Sequence, residues 1–221
     1  MARAAEPSPP SLSARLPVVA CALVAGGLLL ALAAPRAIGD TLALPARPVI
    51  AALRAGQAVD ARHLAIAADA QAAALDWRDD GRGLAALGLL RYHQARALGF
   101  DGAEGRARLD EAIAAHRAGL ARAPGQAHAW TRLAQLALLR DGPTPAIGPL
   151  LVRAVEAAPY DRRLAFRRIE LAMIAWRKLD APARAAIRRQ IRFAATISAR
   201  RLDALAARRY ARALVLDALS P

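Results

Sequence analysis

The sequence predicts an all-α protein, and three observations carry that reading. Alanine supplies much of a hydrophobic content of 56%, while aromatic residues make up only 4%. Alanine loses no side-chain entropy on entering a helix and lets helices approach closely, so this composition favours packed helices over strands. No stretch shows the sustained apolar–polar alternation with β-branched residues that a half-buried strand needs. Apolar residues instead return at helical spacing in two successive stretches: Trp130, Leu133, Ala134 and Ala137, then Phe166, Ile169 and Met173. At 221 residues the chain is long enough to bury a real core in one domain, with something smaller beside it.

Taken in order, residues 1–15 are polar and proline-rich and are expected to be a disordered tail. Residues 16–34 carry no charge. As a helix that run spans about 28 Å, enough to cross a bilayer core. Two readings stay open: an uncleaved transmembrane signal anchor, and a cleaved signal peptide with Arg15 ending its basic region and Ala31-Leu32-Ala33 as the small-x-small site. The length of the run favours the anchor. Arg3 and Arg15 lie on one side of it and Arg36, Arg47 and Arg54 on the other, so charge does not settle orientation. Because a single amino-terminal apolar segment usually acts as an export signal, the expectation is a single-pass protein of a bacterial inner membrane with its bulk in the periplasm.

Residues 35–58 read as a linker, punctuated by Pro35, Gly39, Pro45 and Pro48, with a short helix over 49–55 that Gly56 can terminate. The helical domain then occupies 59–221. Asp60 is a candidate N-cap for a helix carrying Leu64, Ala68, Ala72 and Leu75 on one side. Asp79-Asp80-Gly81 breaks the chain. Leu84, Leu87-Gly88 and Tyr92 mark the next helix, where Gly88 would let a facing helix come close. After a glycine-rich turn over 99–105, helices are expected over 106–122, 126–140 and 146–157, the last two joined by Asp141-Gly142-Pro143-Thr144-Pro145. A further unit opens at Asp161 and runs through residues 179–182 into a helix ending near Ser198. A last helix over 201–219 would cap the stack.

The large residue at Trp130 or Phe166, the branched residue three later, the small residues beyond, and the prolines at 124 and 159 together resemble the tetratricopeptide repeat (TPR) over residues 82–198. The resemblance implies an α-solenoid of TPR-like helical hairpins preceded by one N-terminal transmembrane helix. It also implies a concave groove lined by the first helix of each pair, which in that family usually holds a peptide or a partner's helix. Carried onto this sequence, the groove candidates are Thr131, Arg132, Gln135, Arg163, Arg167 and Glu170, while Trp130, Leu133, Phe166 and Ile169 belong to the core. The segment from Ala129 to Ala134 with Ala158-Pro159-Tyr160 is also similar to repeat segments found with bacterial envelope polysaccharide polymerases and ligases.

Charge and chemistry narrow the function. A net charge of +14, carried almost wholly by arginine, attracts anionic partners such as lipid headgroups, acidic polysaccharide or nucleic acid. The same composition arises in high-GC genomes, so charge alone assigns nothing. Arg184, Arg188 and Arg192 fall on one helical stripe and Ile187, Ile191 and Ala194 on another, giving an amphipathic helix with a basic face. Few aromatic residues accompany the arginines, which argues against nucleic acid. His63, His93, His116 and His128 do not form the helical zinc-protease spacing, and the lone Cys21 sits in the apolar run. Asp79-Asp80 and Asp110-Glu111 are adjacent pairs that point apart on a helix and suit capping. The glycines of 99–105 lack the lysine of a phosphate loop. The expectation is therefore a protein without catalytic, cofactor or metal sites that binds a membrane or envelope protein in its groove, with a basic module for anionic lipid or acidic polymer as the alternative.

Overall fold

A computed structural model describes residues 12–220, which form ten α-helices and, among those residues, no strand. They are α1 (Leu12–Leu42), α2 (Ala46–Arg54), α3 (Ala61–Leu75), α4 (Gly81–Leu98), α5 (Ala103–Arg122), α6 (Ala127–Asp141), α7 (Ile147–Ala157), α8 (Ala165–Ala175), α9 (Ala181–Arg208) and α10 (Arg212–Leu219). Helices α3 to α7 each pack on their successor, as do α8 on α9 and α9 on α10. Contacts between α6 and α8 and between α7 and α9 join one hairpin to the next. This is an all-α arrangement compatible with a helical repeat.

Local chemistry accounts for several helix ends. The Asp60 carboxylate accepts from the His63 backbone N–H at 3.0 Å, and Asp180 accepts from that of Ala183 at 3.0 Å, each satisfying a donor that the first turn leaves orphaned. Gly56 ends α2 at φ 76°, with its N–H on the Leu53 carbonyl and the Gln57 N–H on that of Ala52. That is the Schellman pattern, with glycine at the left-handed position.

Three expectations change. Helix does not stop at Ala34 but continues through Pro35 to Leu42, because the last turns of α1 rest on α3. A Cβ on Gly39 would meet the Ala74 carbonyl oxygen at 3.0 Å, and Arg78 reaches Asp40 at 2.5 Å. Of the expected disordered tail, residues 12–15 are helical and the rest lies outside the described residues. The chain does break at Ser198, whose φ of −166° interrupts α9 and whose Oγ accepts from the Arg201 N–H at 3.2 Å. The expected last helix, however, is split again at Tyr210.

The interior falls into three apolar clusters. One joins α2, α3 and α4 around Ile50, Leu64 and Leu90, and a second joins α4, α5 and α6 around Leu109, Ile113 and Leu136. The third, around Ile147, Ile169, Ile187 and Leu202, gathers α6 to α10. Trp130 packs at the edge of the second cluster and Phe166 within the third, while Leu150 touches both. Leu133, Phe166 and Ile169 are buried as the packing pattern requires.

On α1, Val19–Leu42 is long and apolar enough to cross a membrane, and residues 19–34 of it are all exposed; only Gly39, where the helix meets α3, is buried. Leu23, Val24, Leu28, Leu29 and Leu30 all stand exposed there. A helix apolar on every side and unburied is what a bilayer, rather than water, accommodates.

Candidate functional site

Between α8 and the final turns of α9 lies a cavity of about 140 Å³ walled mostly by arginine. Arg163, Phe166, Arg167 and Glu170 recur at offsets of three, four and seven, so they share one face at the start of and along α8. Arg201, Leu205 and Arg208 do the same on residues 199–208 of α9 and supply the opposite wall. The break at Ser198 is what redirects this part of α9 across α8. Phe166 forms an apolar floor, and the Arg201 guanidinium lies over its ring, 4.2 Å from the centroid.

Glu170 is the one carboxylate in the cavity wall, and it is taken. Arg167 donates to it at 2.7 Å and Arg209 at 2.7 Å. Burial pushes its pKa up, but the hydrogen bonds from Arg209 and Arg167 outweigh burial and hold it below the usual carboxylate range. Among the described residues Arg163, Arg201 and Arg208 have no carboxylate partner. Three uncompensated guanidinium groups around one small cavity repel one another and raise the local potential, which an anion would relieve.

Of the six groove residues read from the sequence, this site brings together Arg163, Arg167 and Glu170. Arg132 is nearby and partly buried, stacked 4.9 Å from the Tyr92 ring centroid and donating to Gln135 Oε1 at 2.9 Å. Thr131 and Gln135 are not groove residues. They are 4% and 8% exposed, because α4 and α8 cover the face of α6 that carries them. The Gln135 amide donates to the Tyr92 hydroxyl at 3.0 Å, and Thr131 Oγ1 donates to the Ala127 carbonyl and accepts from Arg168 Nε at 3.4 Å.

The expected basic face of α9 keeps Arg188 and Arg192 exposed, but all three of its arginines have contacts within the molecule. Arg184 lies 5.6 Å from the Trp176 ring centroid, Arg188 pairs with Asp217 at 2.7 Å, and Arg192 donates to the Ala218 carbonyl at 3.3 Å. The last contact sets a cation on the carbonyl end of α10, where the helix dipole favours it.

Two buried groups carry no signal in the sequence. Arg168 has no exposure at all, and burial pushes its pKa down to about 10 against the opposing charge of Asp161. Its Nη1 donates to the Ala158 carbonyl at 2.8 Å and to Gln190 Oε1 at 3.1 Å, and Gln190 in turn donates to the Pro159 carbonyl at 2.6 Å. His116, 3% exposed, has no partner for either ring nitrogen, and burial, helped by the charge of Arg132, pushes its pKa down to about 3.

The sequence pattern did not single out Arg201, Arg208 or Arg209. The signal for the first two was their seven-residue spacing about Leu205, which sets all three on one helical face. Among the described residues no group of three His, Cys, Asp or Glu side chains is placed to hold a metal ion. No protein-family model, curated protein or solved structure matches this chain.

Proposed function

We propose that the protein is a membrane-anchored, TPR-like scaffold that holds an acidic segment of a partner protein in the cleft between α8 and the end of α9. The observation that carries this reading is the trio of unpaired guanidinium groups, Arg163, Arg201 and Arg208, set around the apolar Phe166 and Leu205. Planar guanidinium forks match carboxylates bidentately, and an apolar floor rewards a segment that alternates acidic and apolar side chains. The exposed apolar length of α1 supports anchoring, and the export logic of such a segment favours the periplasmic side of a bacterial inner membrane for the domain. The partner is then another envelope protein, with a link to polysaccharide biogenesis as its context. The reading contains no catalytic step.

The test uses the full chain in nanodiscs of neutral lipid. Fluorescence anisotropy would follow a peptide of alternating aspartate and leucine against the same peptide with asparagine. Affinity for the acidic peptide is expected to fall with salt, and Arg163→Glu with Arg208→Glu is expected to weaken it at least about tenfold, or 1.4 kcal/mol, with the helical circular-dichroism signal unchanged. Equal affinity for both peptides would overturn the reading.

A further inference from the structure

A second, larger cleft lies where the 3-10 turn Trp176–Lys178, the first turns of α9 and the junction of α9 with α10 meet. Its volume is about 670 Å³, within the range of pockets that take small organic ligands. Its apolar surface comes from Met173, Ile174, Trp176 and Leu214. Its charge is lopsided. Arg188 is already paired with Asp217 and Arg209 with Glu170, so the lining cations left without a carboxylate among the described residues are Arg177 and Lys178 on the 3-10 turn and Arg184 in the first turn of α9. Arg184 Nε is buried without a hydrogen-bond partner, while Nη2 donates to the Trp176 carbonyl at 3.4 Å.

The junction of α9 with α10 carries a strained residue. Helix α9 closes with the same hydrogen-bond pattern as α2, the Tyr210 N–H on the Ala207 carbonyl and the Ala211 N–H on that of Ala206 at 2.8 Å. In α2 the left-handed position holds Gly56; here it holds Tyr210 at φ 52°. A bulky side chain resists that conformation, and this one is also 100% exposed, so neither the turn nor the core accounts for a tyrosine there. A residue kept in strain without a packing role points to a binding role.

We propose that this cleft binds an anionic amphiphile, one apolar chain ending in a phosphate or carboxylate, with Arg177, Lys178 and Arg184 on the head, Trp176 and Leu214 along the chain and Tyr210 closing over it. Free charge confined to the 3-10 turn and the start of α9 fits a ligand charged at one end, and the other charged residues of the lining, Arg188, Arg209 and Asp217, are already paired. This cleft shares no lining residue with the acidic-segment cleft, although its Arg209 pairs with Glu170 of the other, and the proposal does not rest on that reading.

The experiment titrates the full chain, in phosphatidylcholine nanodiscs, with decyl phosphate, and follows tryptophan fluorescence against empty nanodiscs. A saturable change is expected that disappears in Trp176→Phe, is not produced by decanol or inorganic phosphate, and needs at least tenfold more ligand in Arg177→Gln with Arg184→Gln. Tyr210→Gly separates binding from folding: it relieves the turn, so thermal stability should rise while affinity falls severalfold. A change seen with phosphatidylglycerol built into the nanodisc names the bilayer as the source of the ligand, and a change seen only with added decyl phosphate names a free amphiphile. Equal responses to decanol and decyl phosphate, or an unaltered affinity in both the double variant and Tyr210→Gly, would overturn the proposal.

Discussion

The hairpins α4–α5 and α8–α9 solve one packing problem by opposite means. In α4–α5 the helices meet backbone to backbone. A Cβ on Gly81 would come within 2.7 Å of the Gly119 carbonyl oxygen, one on Gly119 within 2.7 Å of that of Gly81, and one on Gly88 within 2.7 Å of the His116 ring. In α8–α9 an arginine fills the gap, and Arg168 ties α8 to Thr131 on α6, to the Ala158 carbonyl after α7 and to Gln190 on α9. Close approach costs helix propensity at each glycine, while a buried guanidinium costs desolvation that only well-placed acceptors offset. The glycine hairpin is held by dispersion over a short distance, and the arginine hairpin by direction. The second device fixes where α9 lies relative to α6 and α8, and that placement builds the arginine-lined cleft.

The largest effect is expected at Arg168. Arg168→Ala removes its three hydrogen-bonded contacts and leaves the Gln190 and Ala158 oxygens buried, so a stability loss of about 3 kcal/mol is expected by guanidinium unfolding followed by circular dichroism. Arg168→Met with Gln190→Leu should recover most of that loss, since an apolar pair of similar volume avoids the desolvation. A loss below about 0.5 kcal/mol in the single variant would show that the network does not hold the hairpin.

Gly119→Ala tests the other hairpin. The methyl group would gain about 1 kcal/mol of helix propensity but collide with backbone that cannot rotate away, so a net loss of about 2 kcal/mol is expected. The same substitution at Gly26, which meets nothing within 4 Å, should be neutral or stabilising and serves as the control.

Acid separates the two hairpins by a smaller amount. His116 sits against Gly88 without a partner, and its folded pKa of about 3 lies below the ordinary 6.5. The unfolded chain therefore binds a proton between those values that the folded chain refuses. Stability is complete above about pH 6.5 and falls as pH drops, by at most about 1.4 kcal/mol per pH unit from this residue. His93, pushed down to about 4 by burial with Arg132 and Arg96, adds in the same direction. Thermal unfolding at about pH 7 and 5 should show a smaller acid-induced drop in His116→Leu than in the parent chain; an identical drop would remove His116 as its source.

Much of the helical framework is legible in the amino-acid sequence. Asp60 as a cap, Gly56 as a stop, the connector over 141–145 and the break at Ser198 all rest on interactions within a few residues, which sequence displays directly. Gly88 is legible as a close-approach position because a glycine in mid-helix costs stability unless a neighbour needs the space. Thr131 and Gln135 read as groove residues because a small polar side chain between apolar positions looks the same whether it faces water or a buried acceptor. The stripe of Arg184, Arg188 and Arg192 has the periodicity of a basic face, yet nothing in that periodicity announces that Asp217 and the Ala218 carbonyl of α10 reach Arg188 and Arg192.

The all-α class, several of the helix ends and a long apolar leading helix are written into the chain locally, since each follows from propensity, capping and composition along a short length of it. Which charges meet across helices is a matter of packing. Arg163 and Arg201 share a cavity, and Arg209 reaches Glu170, through the angle at which the end of α9 crosses α8, whereas the Arg167–Glu170 pair lies within one turn of α8. Electrostatic sites depend on separations of a few ångströms between residues far apart in the chain, and those separations are set by how whole helices pack.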